Sequence, residues 1–222
     1  MIDFSVLIAM AMFVLSHMLI ARTGLKPWLT RKLGASGYLL AYSALSIGLM
    51  AWVIVALINA ERFVLWSPPE WGHGFAALTS LIAFILMGSG GASPNIFSVS
   101  FRKSAFSYDR PGLIGWIRHP FIWGLTLWGL AHLPANGNWP GILLFGGSAV
   151  FGAIGVIALE RRAKGRLGPA WQEAISSPGH ITRNGLIGAL IGASIWLFVL
   201  ALHPVLFGVD PWSVLVAQLG LL

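Results

Sequence analysis

The segment Arg118–His132, RHPFIWGLTLWGLAH, sets a cation, an imidazole and a proline ahead of an apolar run and closes on a second imidazole. Proline suits the first turn of a helix, where no N–H is required, so a helix is predicted to start at Pro120. It ends against Pro134-Ala135-Asn136-Gly137, a turn signal. In hydrocarbon an ionisable side chain is costly unless partnered, which makes each imidazole of such a segment a candidate functional group.

The rest of the chain is equally apolar. Of its 222 residues 57% are hydrophobic and 9% charged, against roughly 25% charged in a soluble domain. So few charges cannot cover a water-facing surface. The chain therefore reads as an all-α integral membrane protein in a lipid bilayer, with a single domain over 1–222. A net charge of +7 could serve nucleic acid. The cations, however, sit in short loops between apolar runs, as membrane flanks do, and no nucleic-acid partner is expected. Without cysteine, disulfides, thiolate catalysis and cysteine-bound metal are excluded. Asp3, and no basic segment, precedes the first apolar run, which reads as a retained helix rather than a cleaved signal.

A membrane-crossing helix needs about 20 mostly apolar residues. The candidates are Ile2–Ala21, Gly37–Asn59, Gly72–Gly91, the run from Pro120, Trp139–Leu159 and Leu186–Leu206. The expectation is a polytopic membrane helix bundle of about six transmembrane helices. Loop one carries Arg22, Lys26, Arg31 and Lys32; loop three carries Arg102, Lys103, Arg110 and Arg118; loop five carries Arg161, Arg162, Lys164, Arg166 and Arg183. Only Arg62 falls on the other side, a positive-inside pattern that puts both termini on the non-cytoplasmic side. Gly146, Gly147, Gly152 and Gly155 suit close helix packing in lipid. The apolar tail from Val209 is too short to cross and fits the interface.

His17 shares a helical face with Met10, Phe13 and Ile20. It can donate a hydrogen bond across helices, or it can bind metal, neutral imidazole being the commonest metal ligand. Beyond Asp3 at its edge, no span offers an anionic ligand to a bare ion. Haem brings four nitrogens and asks for only one or two axial side chains. His132 closes the stripe Phe121, Leu125 and Trp128, which fits helix packing and also fits a flat apolar ligand. His119 and His132 lie about 140° apart on one straight helix and so do not face a common ligand. Depth pairs His17 with His119, because His132 lies about 18 Å beyond Pro120 at 1.5 Å per residue. Tilt, or a first helix continuing toward Trp28, would bring His17 level with His132. His73, His180 and His203 read as interfacial hydrogen-bonding groups. The cations of loop five read as a flank beside anionic headgroups, at about 1 kcal/mol each. A second reading has Arg161 or Arg162 grip haem propionates, since Arg binds carboxylates bidentately, with Arg22 and Arg118 as alternatives.

SHMLIAR (16–22), RHPFIWG (118–124), LWGLAHLPANG (127–137) and ERRAKGRLGPAW (160–171) together resemble the NnrU family of bacterial membrane proteins, which is associated with denitrification and nitric oxide metabolism. That family is similar to the plant and cyanobacterial 15-cis-ζ-carotene isomerase, an integral membrane haem b enzyme. Its ligation is attributed to a histidine of the first conserved helix and to one in a Trp-x-x-Ala-His element. The resemblance implies haem b with His17 and His132 as axial ligands to the iron, His119 matching the RHP histidine. It also implies an inner-membrane location. The isomerase has a cysteine three residues before its second ligand. Gly129 stands there in this chain, so a switch to thiolate is closed.

RHPFIWG and the later Glu and LGPAW also look like elements of isoprenylcysteine and phospholipid methyltransferases. Arg118, His119, Pro120 and Gly124 match. Ile122 replaces a tyrosine, Leu159 a glutamate and Trp171 a later tyrosine, and these losses remove polar groups that would hold S-adenosylmethionine. Three functions follow as expectations. The first is a haem protein of nitric oxide or nitrite metabolism, taking a small apolar or gaseous ligand. The second is a haem-dependent cis–trans isomerase of a carotenoid-like polyene. The third is an S-adenosylmethionine-dependent lipid methyltransferase using Arg118, His119 and Glu160. The residues leave open whether the protein is an enzyme.

Overall fold

Hydrocarbon admits a backbone only when its hydrogen bonds close within the segment, and the apolar runs fold accordingly as helices. The computed structural model describes residues 4–102, 106–218 and 220, and leaves out the side chains of Ala21 and Arg22. The expected roles of the Arg22 side chain and of Lys103 therefore lie outside the described residues. The helices are α1 (Phe4–Arg22), α2 (Leu25–Asn59), α3 (Gly72–Ala92), α4 (Pro120–His132), α5 (Trp139–Leu167), α6 (Ala170–Ser176), α7 (Arg183–Phe207) and α8 (Pro211–Gln218). A 3-10 turn lies at Gly112–Gly115. Among the described residues there is no strand, only an isolated bridge between Val64 and Asn138.

Among the described residues four helices, α2, α3, α5 and α7, are long and apolar enough to cross a membrane. The all-α membrane architecture is thus found, while the expected count of about six spans is not confirmed. α4 is confined between Pro120 and Pro134, and its 13 residues rise only about 20 Å against a hydrocarbon core of about 30 Å. The apolar part of α1, Phe4–Ile20, also falls short. Loop one is corrected. Residues 25–33 are helical and run into the rest of α2 across a break at Gly34, whose φ of 72° and ψ of 168° only glycine adopts readily.

The chain forms two compact units, Met1–Phe63 and Val64–Leu222. In the first, α1 packs along α2. In the second, α3 is central and packs on α4 and α7. A Cβ on Gly88 would lie 2.1 Å from the Gly188 carbonyl oxygen, so α3 and α7 meet backbone to backbone. The Trp196 indole N–H donates to the Ala77 carbonyl at 3.0 Å across the same seam. α4 lies against α5 at Gly152, where a Cβ would come within 2.2 Å of Thr126 Oγ1. Gly152 thus packs as its sequence suggests, whereas Gly146 and Gly155 have room for a methyl at 3.7 and 3.6 Å. Beneath the polar loops Phe97, Ile114, Ala163, Trp171 and Ala174 form a small apolar core. Trp171 is accordingly a packing residue. The tail forms α8, which buries Pro211 and Leu215.

Candidate functional site

Local rules place Arg118 and His119. Pro120 takes the first position of α4, which leaves His119 as the non-helical residue at the helix cap (φ −123°, ψ 53°). Asn95 fastens this turn. Its Oδ1 accepts from the Phe97 and Ser98 amides at 2.7 and 3.1 Å, and its Nδ2 donates to the Arg118 carbonyl at 2.9 Å. α5 then delivers Glu160. Arg118 donates to Glu160 Oε1 from Nε at 2.9 Å and from a terminal nitrogen at 2.7 Å. His119 Nε2 meets the other oxygen, Oε2, at 2.7 Å. A carboxylate only accepts, so Nε2 is the donor, and in the neutral ring Nδ1 carries the lone pair. His119 is 2% exposed and its Nδ1 is buried without a hydrogen-bond partner. Trp116, Trp123, Ile157 and Arg161 join this triad around an open cleft of about 660 Å³.

The other end of α4 has a different chemistry. His132 Nδ1 donates to the Trp128 carbonyl one turn earlier at 2.9 Å. Its Nε2 therefore carries the lone pair, and among the described residues no hydrogen bond reaches it. Phe145 stacks on the imidazole with centroids 4.7 Å apart and planes within 17°, and Trp128 lies 5.0 Å away. Phe145 arrives there through a π-helical turn of α5, Ile142–Gly146, a feature common at functional sites. Gly129 admits it, since a Cβ there would sit 2.5 Å from the Phe145 carbonyl oxygen. Asn136 Nδ2 donates to the His132 carbonyl at 2.8 Å, and the Trp66 indole donates to the Pro134 carbonyl at 3.2 Å.

In the first unit, His17 Nδ1 donates to the Phe13 carbonyl at 2.7 Å. Its ring lies 4.5 Å from Phe13 and 5.5 Å from Tyr42, which stacks on Tyr38. His17 and His132 thus both spend Nδ1–H on the carbonyl four residues back, and His17 Nδ1 also lies 3.2 Å from Ser16 Oγ. Metal-bound imidazoles use their second nitrogen in this way. An imidazole held through Nδ1 could serve as an axial ligand to haem iron. Among the described residues no three His, Asp or Glu side chains gather as a metal site; haem, which brings four nitrogens, asks for no such cluster.

The cleft brings together Arg118, His119, Arg161 and Glu160. His132 lies at the opposite end of the same helix, about 20 Å along its axis. His203, at the end of α7, donates from Nδ1 to the Val209 carbonyl at 3.0 Å. Asn95 and Phe145 escape a reading of the sequence. The signal for Asn95 is its Ser-Pro-Asn turn after the glycines of α3, while nothing in ILLFG announces the π turn that positions Phe145.

No curated protein and no solved structure matches the chain significantly. The family model described as NnrU protein matches residues 5–211, nearly the whole length, and the chain belongs to the NnrU family.

Proposed function

We propose that this NnrU protein is a haem b protein of the bacterial inner membrane serving nitric oxide or nitrite metabolism, with His132 and His17 as axial ligands. One observation carries the reading. His132 has its Nδ1 tied to Trp128 and, among the described residues, no partner at Nε2, beside the rings of Trp128 and Phe145. The backbone bond fixes the tautomer and the ring orientation, so the ligating nitrogen is set before any cofactor arrives. The two aromatic rings supply an apolar border for a flat macrocycle and keep water from the iron side. His17 Nδ1 is likewise bonded to the carbonyl one turn earlier, that of Phe13. Haem held by these residues would supply an iron centre for redox chemistry or for binding a small gas.

The test is a reduced-minus-oxidised absorption spectrum of the detergent-purified protein from haem-sufficient cells. The expected result is a Soret band that falls at least about ten-fold in His132→Ala and in His17→Ala, as ligand loss exceeds the roughly 10–100-fold cost of second-sphere changes. Colourless wild-type protein, or full colour in both variants, overturns the reading. Conversion of a cis-polyene by the coloured protein in carotenoid-producing cells redirects the function to isomerisation.

A further inference from the structure

The cleft at the head of α4 stands apart from His132, and its chemistry calls for an occupant of its own. We infer that it binds an anionic phospholipid, with Arg161 taking the phosphate and Trp116, Trp123 and Ile157 lining the acyl chains.

The direction of the opening argues for a lipid. Trp116, Trp123 and Ile157 are 59%, 44% and 54% exposed, and they belong respectively to the turn leading into α4, the first turn of α4 and the apolar part of α5. Apolar surface at the end of a membrane-crossing helix faces acyl chains, with tryptophans at headgroup level. A ligand entering here comes sideways from the bilayer and needs an apolar body.

Charge selects the headgroup. The lining holds two guanidinium groups, Arg118 and Arg161, and one carboxylate, Glu160. Both oxygens of Glu160 are already engaged, one by Arg118 and one by His119. An ammonium headgroup therefore finds no open carboxylate to pair with. Arg161 is exposed and makes no ion pair among the described residues, so the unmet charge is positive and matches a phosphodiester through charge-assisted hydrogen bonds. Basic pockets between membrane helices hold anionic headgroups in this way. The second requirement comes from His119, whose buried Nδ1 lacks a donor. Leaving it so costs about 1–3 kcal/mol, and a headgroup hydroxyl can satisfy it. A lipid with one phosphate and free hydroxyls, such as phosphatidylglycerol, meets both demands.

The experiment uses the delipidated full chain in non-ionic detergent, offered phosphatidylglycerol, phosphatidylethanolamine or free glycerol phosphate, with native mass spectrometry reading what stays bound. Phosphatidylglycerol is expected to be retained roughly ten-fold better than phosphatidylethanolamine, and Arg161→Gln to lose roughly that factor, the worth of one charge-assisted contact. Arg162→Gln, exposed on the same helix but outside the cleft, keeps it. Chain-brominated phosphatidylglycerol quenches the tryptophan fluorescence of the unaltered chain more than brominated phosphatidylethanolamine does, and part of that difference disappears in Trp116→Phe. Equal retention or equal quenching by the two lipids overturns the inference. So do equal losses in the two arginine variants, binding of glycerol phosphate alone, or displacement of the lipid by S-adenosylmethionine.

Discussion

The two ends of α4 present the same side chain in opposite conditions. At the head, His119 is almost fully buried and bonded through Nε2 to a carboxylate that Arg118 also holds. At the foot, His132 is half-buried, bonded through Nδ1 to its own helix and open at Nε2. A carboxylate partner draws the imidazole into an ion-paired network, whose hydrogen bonds are worth about 1.5–3 kcal/mol each. A backbone carbonyl costs the ring none of its coordinating ability and fixes which nitrogen offers it. The partner of the first nitrogen thus decides whether a membrane histidine fastens helices or waits for a ligand.

The largest expected effect separates the two ends directly. His132→Ala should remove at least nine-tenths of the haem absorbance, a loss beyond the roughly 10–100-fold typical of second-sphere changes. Glu160→Gln, about 20 Å away along α4, should leave the spectrum in place. Reversal of that order would move the haem to the head of α4.

Next comes Gly129, one turn before His132 on α4. The position has no room for a side chain, since a Cβ would press on the Phe145 carbonyl at 2.5 Å and the Ala149 amide nitrogen at 3.0 Å. Gly129→Cys should therefore destabilise by about 1–3 kcal/mol, as overpacking does. It should also give no thiolate-type Soret shift. Thermal unfolding together with the absorption spectrum checks both statements; a thiolate band in a stable variant would show that α5 yields at the π turn.

Glu160→Ala tests the head. It strands a buried imidazole and an Arg118 that is 42% exposed. Exposure discounts the ion pair, so the expected loss is about 1–3 kcal/mol, dominated by His119. Glu160→Gln should recover part of it, because the amide oxygen still accepts from Nε2. A loss below about 0.5 kcal/mol by denaturant titration would place the triad among surface pairs that contribute little.

Much of this architecture is written locally. Apolar run length finds the helices, and Pro120 and Pro134 bound α4 on both sides. Those same two prolines encode its 13-residue length. Lys26, Arg31 and Lys32 made residues 25–33 look like a loop, although their spacing with Trp28, Leu29 and Leu33 suits an interfacial helix. The sites are less legible. Glu160 meets His119 across 41 residues through the register of α4 on α5, which small residues such as Gly152 set by contact rather than by any periodic pattern. Phe145 reaches His132 only because a π turn shifts its phase, and propensity does not encode such a turn.

The smallest expected effect concerns the support of the foot rather than its ligand. Asn136 donates to the His132 carbonyl, one of the last of α4, and Trp66 donates to Pro134 in the turn that follows. Both are neutral hydrogen bonds at a helix end, where the final carbonyls lack intrahelical partners. Asn136→Ala and Trp66→Phe should each lower stability by about 0.5–1.5 kcal/mol. The imidazole is held one turn earlier, by Trp128, so its orientation survives either change. Haem should then stay bound in both variants and dissociate only slightly faster, as followed by transfer to an apo-globin acceptor. A loss of colour in Trp66→Phe comparable to that of His132→Ala would mean that the loop, and not α4, builds the foot of the helix into a site.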